Sequence, residues 1–156
     1  MMEISNLKNN YEVLVKRYKL PLFKELNENF EVDKIDKDTE CLLRLLRKVM
    51  MEKIVNSLGF LEILLNPVNT PRLYANYARS MSIEDRKELE RIYSVLGELS
   101  INSLDLEIDY SEKKEADMIN SINGAWNSVK PGFRKILTNL KIPAGSSNKK
   151  EKSYFG

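Results

Sequence analysis

The feature that most constrains this chain is a pair of long apolar seams at helical spacing. Leu43, Leu46, Met50, Ile54, Ser57, Leu61 and Leu64 follow one another at intervals of 3, 4, 4, 3, 4 and 3. Ile119, Ile122, Trp126, Val129, Phe133, Ile136 and Leu140 do so at 3, 4, 3, 4, 3 and 4. Such intervals place side chains on one stripe of an α-helix, whereas a half-buried strand requires alternation. A stripe this long is unstable in water and demands a partner. The expectation is an all-α helical bundle built on a long antiparallel helix pair, about 36–65 and 111–141, with shorter helices on its flanks. The same seams also suit pairing between two chains, so a homodimer through them stands beside the intramolecular hairpin.

Punctuation along the chain sets the remaining helices. Leu7, Tyr11, Leu14, Val15 and Tyr18 recur at helical spacing until Lys19-Leu20-Pro21, where the residue before proline avoids the α region. Pro21 suits the first turn of a short helix with Leu22, Phe23, Leu26 and Phe30 on one face. Asp36, Asp38 and Thr39 are candidate caps for the third helix. Thr70 and Pro71 are expected to cap and begin the fourth, and Ser82-Ile83-Glu84-Asp85 resembles a capping box opening the fifth. In that helix Ile83, Leu89, Ile92, Tyr93 and Leu96 are expected inward, with Gly97 ending or loosening it. Leu104, Leu106 and Ile108 alternate with acids, a strand pattern. With no second strand to pair with, 98–109 is read as helix or extended linker. Asp109-Tyr110-Ser111-Glu112 fits a capping box for the last helix, which should kink at Pro131 and end at Ile142-Pro143. The chain is thus read as one helical domain, 1–142, and a flexible basic C-terminal tail, 143–156.

Absences narrow the chemistry. The 156 residues include no histidine, which removes Ser-His-Asp and Cys-His catalysis and most zinc sites. Cys41, the one cysteine, has no intramolecular disulfide partner and is read as a packing residue. Asp105, Glu107 and Asp109 alternate as in calcium loops, but Tyr110 and Ala116 stand where an EF-hand needs Gly and Glu. The reading therefore has no catalytic residues, metal or cofactor. Met1-Met2-Glu3-Ile4-Ser5-Asn6 lacks the pattern of a signal peptide, and no apolar stretch is long enough to span a bilayer. Cytoplasmic residence without a membrane partner is expected.

Charge distribution supplies the candidate sites. From Lys130 to Gly156 seven Lys/Arg stand against one acid, Glu151, while residues 1–129 carry a net −4. Lys149, Lys150 and Lys152 precede the aromatic pair Tyr154-Phe155. Lysines can steer a flexible segment to an acidic partner, and aromatics can fill an apolar groove there. These five residues are the candidate protein-binding tail. Arg44, Arg47, Lys48, Lys130, Arg134 and Lys135 are the candidate nucleic-acid contacts, although Glu40 and Glu52 interleave with the first three.

Arg44 to Leu96 resembles the helical domain of GINS-type replication subunits. The resemblance rests on Glu52-Lys53-Ile54-Val55 after an arginine-rich turn, then Ser82-Ile83-Glu84-Asp85-Arg86 opening a helix. It covers a third of the chain and carries over no site residue. The leading functional expectation is a non-enzymatic helical interaction or scaffold module with a docking tail. The alternative is a helical accessory subunit of a nucleic-acid machine, associated with replication or the ribosome.

Overall fold

Three long helices share the core. In chain order the elements are α1 (Glu3–Tyr18), α2 (Phe23–Phe30), a 3₁₀ turn (Val32–Lys34), α3 (Leu42–Leu65), α4 (Arg72–Ser80), α5 (Ile83–Ile108) and α6 (Glu112–Phe155). The computed structural model describes the backbone of residues 3–35 and 41–155, and the side chains of 6–35 and 41–141. No strand occurs among the described residues. The α3 caps expected at Asp36, Asp38 and Thr39 lie outside them.

Both seams face inward. Every named α6 seam residue from Ile119 to Leu140 is buried, as are all those of α3 except the half-buried Ser57. The all-α bundle therefore stands, but the pairing sense differs from the expected hairpin. Arg47, near the start of α3, bonds Glu115 in the first turn of α6. Phe60, near the end of α3, stacks on Phe133 far along α6, with ring centroids 6.3 Å apart. The two helices are parallel. The reason is α5, which does not stop at Gly97 but runs 26 residues and carries the chain back. Its end meets the start of α3 through Ser103, and its start meets the end of α3 where Arg86 approaches the Leu65 carbonyl at 3.5 Å. With short connections, the first and third long helices must share a direction. The seams are thus buried within one chain.

Helix wins over strand at 98–109 because Leu89, Ile92, Leu96, Leu99, Ser103 and Leu106 form a third buried seam, spaced 3, 4, 3, 4 and 3. Its register turns Leu104 and Ile108 outward, along with Ile83, which was expected inside. Ser82 caps α5 by accepting from the Asp85 amide at 3.1 Å. For α6 the capping hydroxyl is Ser111, which accepts from the Lys114 amide. Thr70 does not cap α4: its hydroxyl is buried without a hydrogen-bond partner, and Pro71 stands before the first helical residue. The α6 backbone continues through Pro131 and past Pro143, where an end was expected. Proline removes one donor but has a helical φ, so it does not by itself force termination.

The remaining helices dock through polar side chains as well as apolar ones. Tyr11 donates to the Pro21 carbonyl at 2.6 Å, folding α2 back on α1, and Tyr18 donates to Glu112 at the start of α6. Phe30 packs on Trp126, and beside it Asn29 donates to the side-chain carbonyls of Asn123 and Asn127 at 3.1 and 3.0 Å. Those two asparagines donate onward to Glu25, while Lys130 donates to Asn29. A satisfied polar layer of this kind pins the register of α2 on α6, because any slip would strand its buried amides.

Candidate functional site

The first candidate cations fold inward. Arg47 is 1% exposed, and Glu115, which it contacts, is 0% exposed. The guanidinium donates Nε and Nη2 to the two Glu115 oxygens, at 2.5 and 3.2 Å, as a bidentate pair. Its Nη1 donates to Ser103 at 2.7 Å and Nη2 also to Glu107 at 2.9 Å. Buried in this way, Arg47 has no surface to offer a phosphate. Arg44 donates to the other Glu107 oxygen at 2.9 Å and lies over the Tyr110 ring, and Lys48 stands 3.8 Å from that oxygen. The carboxylates that take up these cations come from α5 and α6, as Glu107 and Glu115, far in sequence from Arg44, Arg47 and Lys48. Hydrogen bonds from Arg47 and then Arg44 pull the Glu107 carboxyl down to about 2.

The second group is differently placed. Lys130 is partly buried on Asn29, whereas Arg134 and Lys135 are exposed. With Asn127, Pro131, Thr138 and Asn139 they border a shallow pocket of about 440 Å³. Because Arg47 aligns with Glu115, Arg134 lies about 28 Å further along the bundle at 1.5 Å per residue. The two basic groups therefore do not form one surface. Lys149, Lys150, Lys152, Tyr154 and Phe155 lie outside the residues whose side chains are described.

The sequence reading did not single out the largest anomaly, an apolar stripe on the outside of α5. Ile101, Leu104 and Ile108, spaced 3 and 4, are 68%, 60% and 78% exposed. A groove of about 520 Å³ runs beside Leu104 between α5 and α3, walled on α3 by Met51, Val55 and Asn56 together with the charged Lys48 and Glu52. On the edge of the stripe away from α3, Glu98, Asp105 and Asp109 recur at 7 and 4 and are all exposed. The clue was present in Leu104 and Ile108, but alternation with Leu106 disguised two faces of a helix as one face of a strand.

Other features are packing or rim contacts. A groove of about 550 Å³ between the end of α2, α3 and α6 is floored by Phe30, Phe60 and Phe133. Lys53 lies near it, 5.1 Å from the centre of the Trp126 ring, its pKa lowered mainly by burial. Cys41 precedes α3 beside Tyr110 and is half-buried. Tyr74 meets Phe60 edge-on, and Tyr77 packs against the core. Among the described residues no group of three His, Cys, Asp or Glu is placed to hold a metal, and no helix is long and apolar enough to cross a membrane.

Comparison with known proteins finds no matching family model, no similar curated protein and no similar solved structure. The short likeness to GINS-type subunits thus has no family match behind it.

Two predictions follow the charges. Glu115→Ala leaves the buried Arg47 without its main partner and should cost about 3–5 kcal/mol in denaturant unfolding, while the double change Arg47→Met with Glu115→Leu recovers most of that loss. Recovery absent from the double variant would show that the site needs the ions themselves. For Glu107, whose folded pKa is depressed, the stabilisation is present above its ordinary value of 4.5 and is lost as pH falls from there to about 2. Stability measured across that window should fall less steeply in Glu107→Gln than in the parent chain.

Proposed function

We propose that this chain is a non-enzymatic helical protein–protein interaction module of the cytoplasm, with α5 as its receiving face and 143–156 as a docking segment. The observation that carries the reading is the Ile101–Leu104–Ile108 stripe. Lone exposed apolar residues are ordinary, but three at 3 and 4 spacing beside a groove make a continuous face. Burying each such side chain is worth about 1.5–3 kcal/mol. Association costs an estimated 4–15 kcal/mol or more. The stripe alone is therefore a modest site, and the neighbouring groove and acidic edge are needed to add affinity and orientation.

Two residues only two positions apart, on opposite faces of α5, should respond differently. Ile108→Ser should change unfolding free energy by no more than about 0.5 kcal/mol, as at other surface positions. Leu106→Ala, in the buried seam, should cost about 2–5 kcal/mol. In affinity capture with quantitative mass spectrometry, Leu104→Ser with Ile108→Ser should lose the proteins that the parent chain retains. An unchanged retained set from a variant of parental stability would refute the receiving face.

A second reading, a helical accessory subunit of a nucleic-acid machine, is favoured only by the exposed pair Arg134 and Lys135 at the shallow α6 pocket. It requires binding at 50 mM salt that weakens steeply as salt rises and is reduced in Arg134→Glu with Lys135→Glu. Binding that ignores those substitutions would remove α6 from consideration.

A further inference from the structure

We infer that the stripe on α5 receives segment 142–156 of a second copy of this chain. The inference rests on the interaction-module reading and names the occupant of its receiving face.

Three observations fit together. The receiving face is an apolar row, Ile101, Leu104 and Ile108, with the acidic row Glu98, Asp105 and Asp109 along one edge. Beside Leu104 lies the 520 Å³ groove, whose wall includes the exposed Val55 and the thioether chain of Met51. Segment 142–156 has the complementary chemistry in its sequence: Lys149, Lys150 and Lys152 to oppose the acids, and Tyr154-Phe155 to pack on Met51, Val55 and Leu104, which share the groove with Lys48, Glu52 and Glu107. Aromatic side chains are the usual anchors at such contacts because each buries a large area with few rotatable bonds.

The fold favours delivery from another copy. Near its last buried turn α6 is held to the start of α5, where Asn139 donates to Asp85 at 3.1 Å. Leu104 lies nineteen residues further along α5, about 28 Å back toward the opposite end of the bundle. The α6 backbone runs on as helix through Phe155, away from that stripe. To fill its own stripe the segment would have to unwind and reverse. A second copy meets no such demand, and two copies can exchange segments reciprocally about a two-fold axis, so that the contact closes instead of propagating.

The test uses the full chain, a chain ending at Lys141, and a fluorescent peptide of residues 142–156. Sedimentation velocity should show the full chain associating to a dimer between 5 and 200 µM (on the order of ordinary weak-dimer affinities), and the shortened chain remaining monomeric. Anisotropy should show the peptide binding the shortened chain about tenfold or more weaker after Leu104→Ser with Ile108→Ser, and similarly weaker when Tyr154 and Phe155 are both alanine. Raising salt should weaken binding, and Glu98→Lys with Asp105→Lys should abolish that salt dependence. Circular dichroism confirms that each exposed substitution leaves the fold intact. Absence of peptide binding overturns this occupant while leaving the affinity-capture result to judge the receiving face. Dimerisation that survives removal of 142–156 but not Leu104→Ser also overturns it, because another surface of the second copy then fills the stripe. A monomeric full chain whose stripe binds peptide only after shortening overturns the second copy in favour of the chain's own segment.

Discussion

The bundle depends on one buried ion pair. Arg47 and Glu115 are both removed from water, and the guanidinium joins three helices at once: its own α3, α5 through Ser103 and Glu107, and α6 through Glu115. Buried pairs often add little net stability, since desolvating each ion costs several kcal/mol. Their effect is on choice among arrangements. Apolar seams with nearly seven-residue periodicity tolerate slips by a heptad, because leucine meets leucine again. A bidentate guanidinium does not tolerate them, because a slipped register would leave two charges buried without partners. Direction is chosen in the same way: if α3 and α6 ran antiparallel, Arg47 would face the Leu140 end of α6 instead of Glu115.

That end of the bundle also decides what α5 can present. Ser103 takes a seam position that an aliphatic residue would otherwise fill, because Arg47 needs an acceptor there. One helical turn outward, Glu107 gathers Arg44, Arg47 and Lys48. The charges of α3 are thereby drawn toward one carboxylate, and the adjoining face of α5 is left to Ile101, Leu104 and Ile108. The polar network and the apolar face are consequences of the same register.

Much of this was legible in the sequence, and the gaps have physical causes. Both long seams read correctly because thirteen of their fourteen residues are buried as periodicity demands. Pairing sense was not legible, since it depended on α5 being long. That length was masked by Ser103 in its seam and by the Leu104, Leu106 and Ile108 alternation. The buried ion pair was equally hidden. Arg47 sits among charged neighbours in sequence, and only the meeting of residues 47, 103 and 115 in space distinguishes it from a solvated arginine. Local signals succeeded and failed at both starts and ends: Ser82 caps α5 but Thr70 does not cap α4, and α3 ends at Leu65 before Asn66-Pro67 whereas Pro143 does not stop α6.

An exposed apolar stripe is also a hazard, and the charges beside it bear on how it is controlled. Laid antiparallel, two α5 stripes would set the Glu98–Asp105–Asp109 edge of one against the same edge of the other. Like charges brought together at a contact cost several kcal/mol, comparable to what burying two aliphatic side chains returns. The stripe is thus disfavoured from meeting its own copy in that simple arrangement, and a basic occupant is preferred by the same charges. Specificity of this kind comes from repelling the wrong contact as much as from attracting the right one. The same repulsion acts against association of two bare stripes on folded chains, where Ile101, Leu104 and Ile108 stand exposed beside the acids.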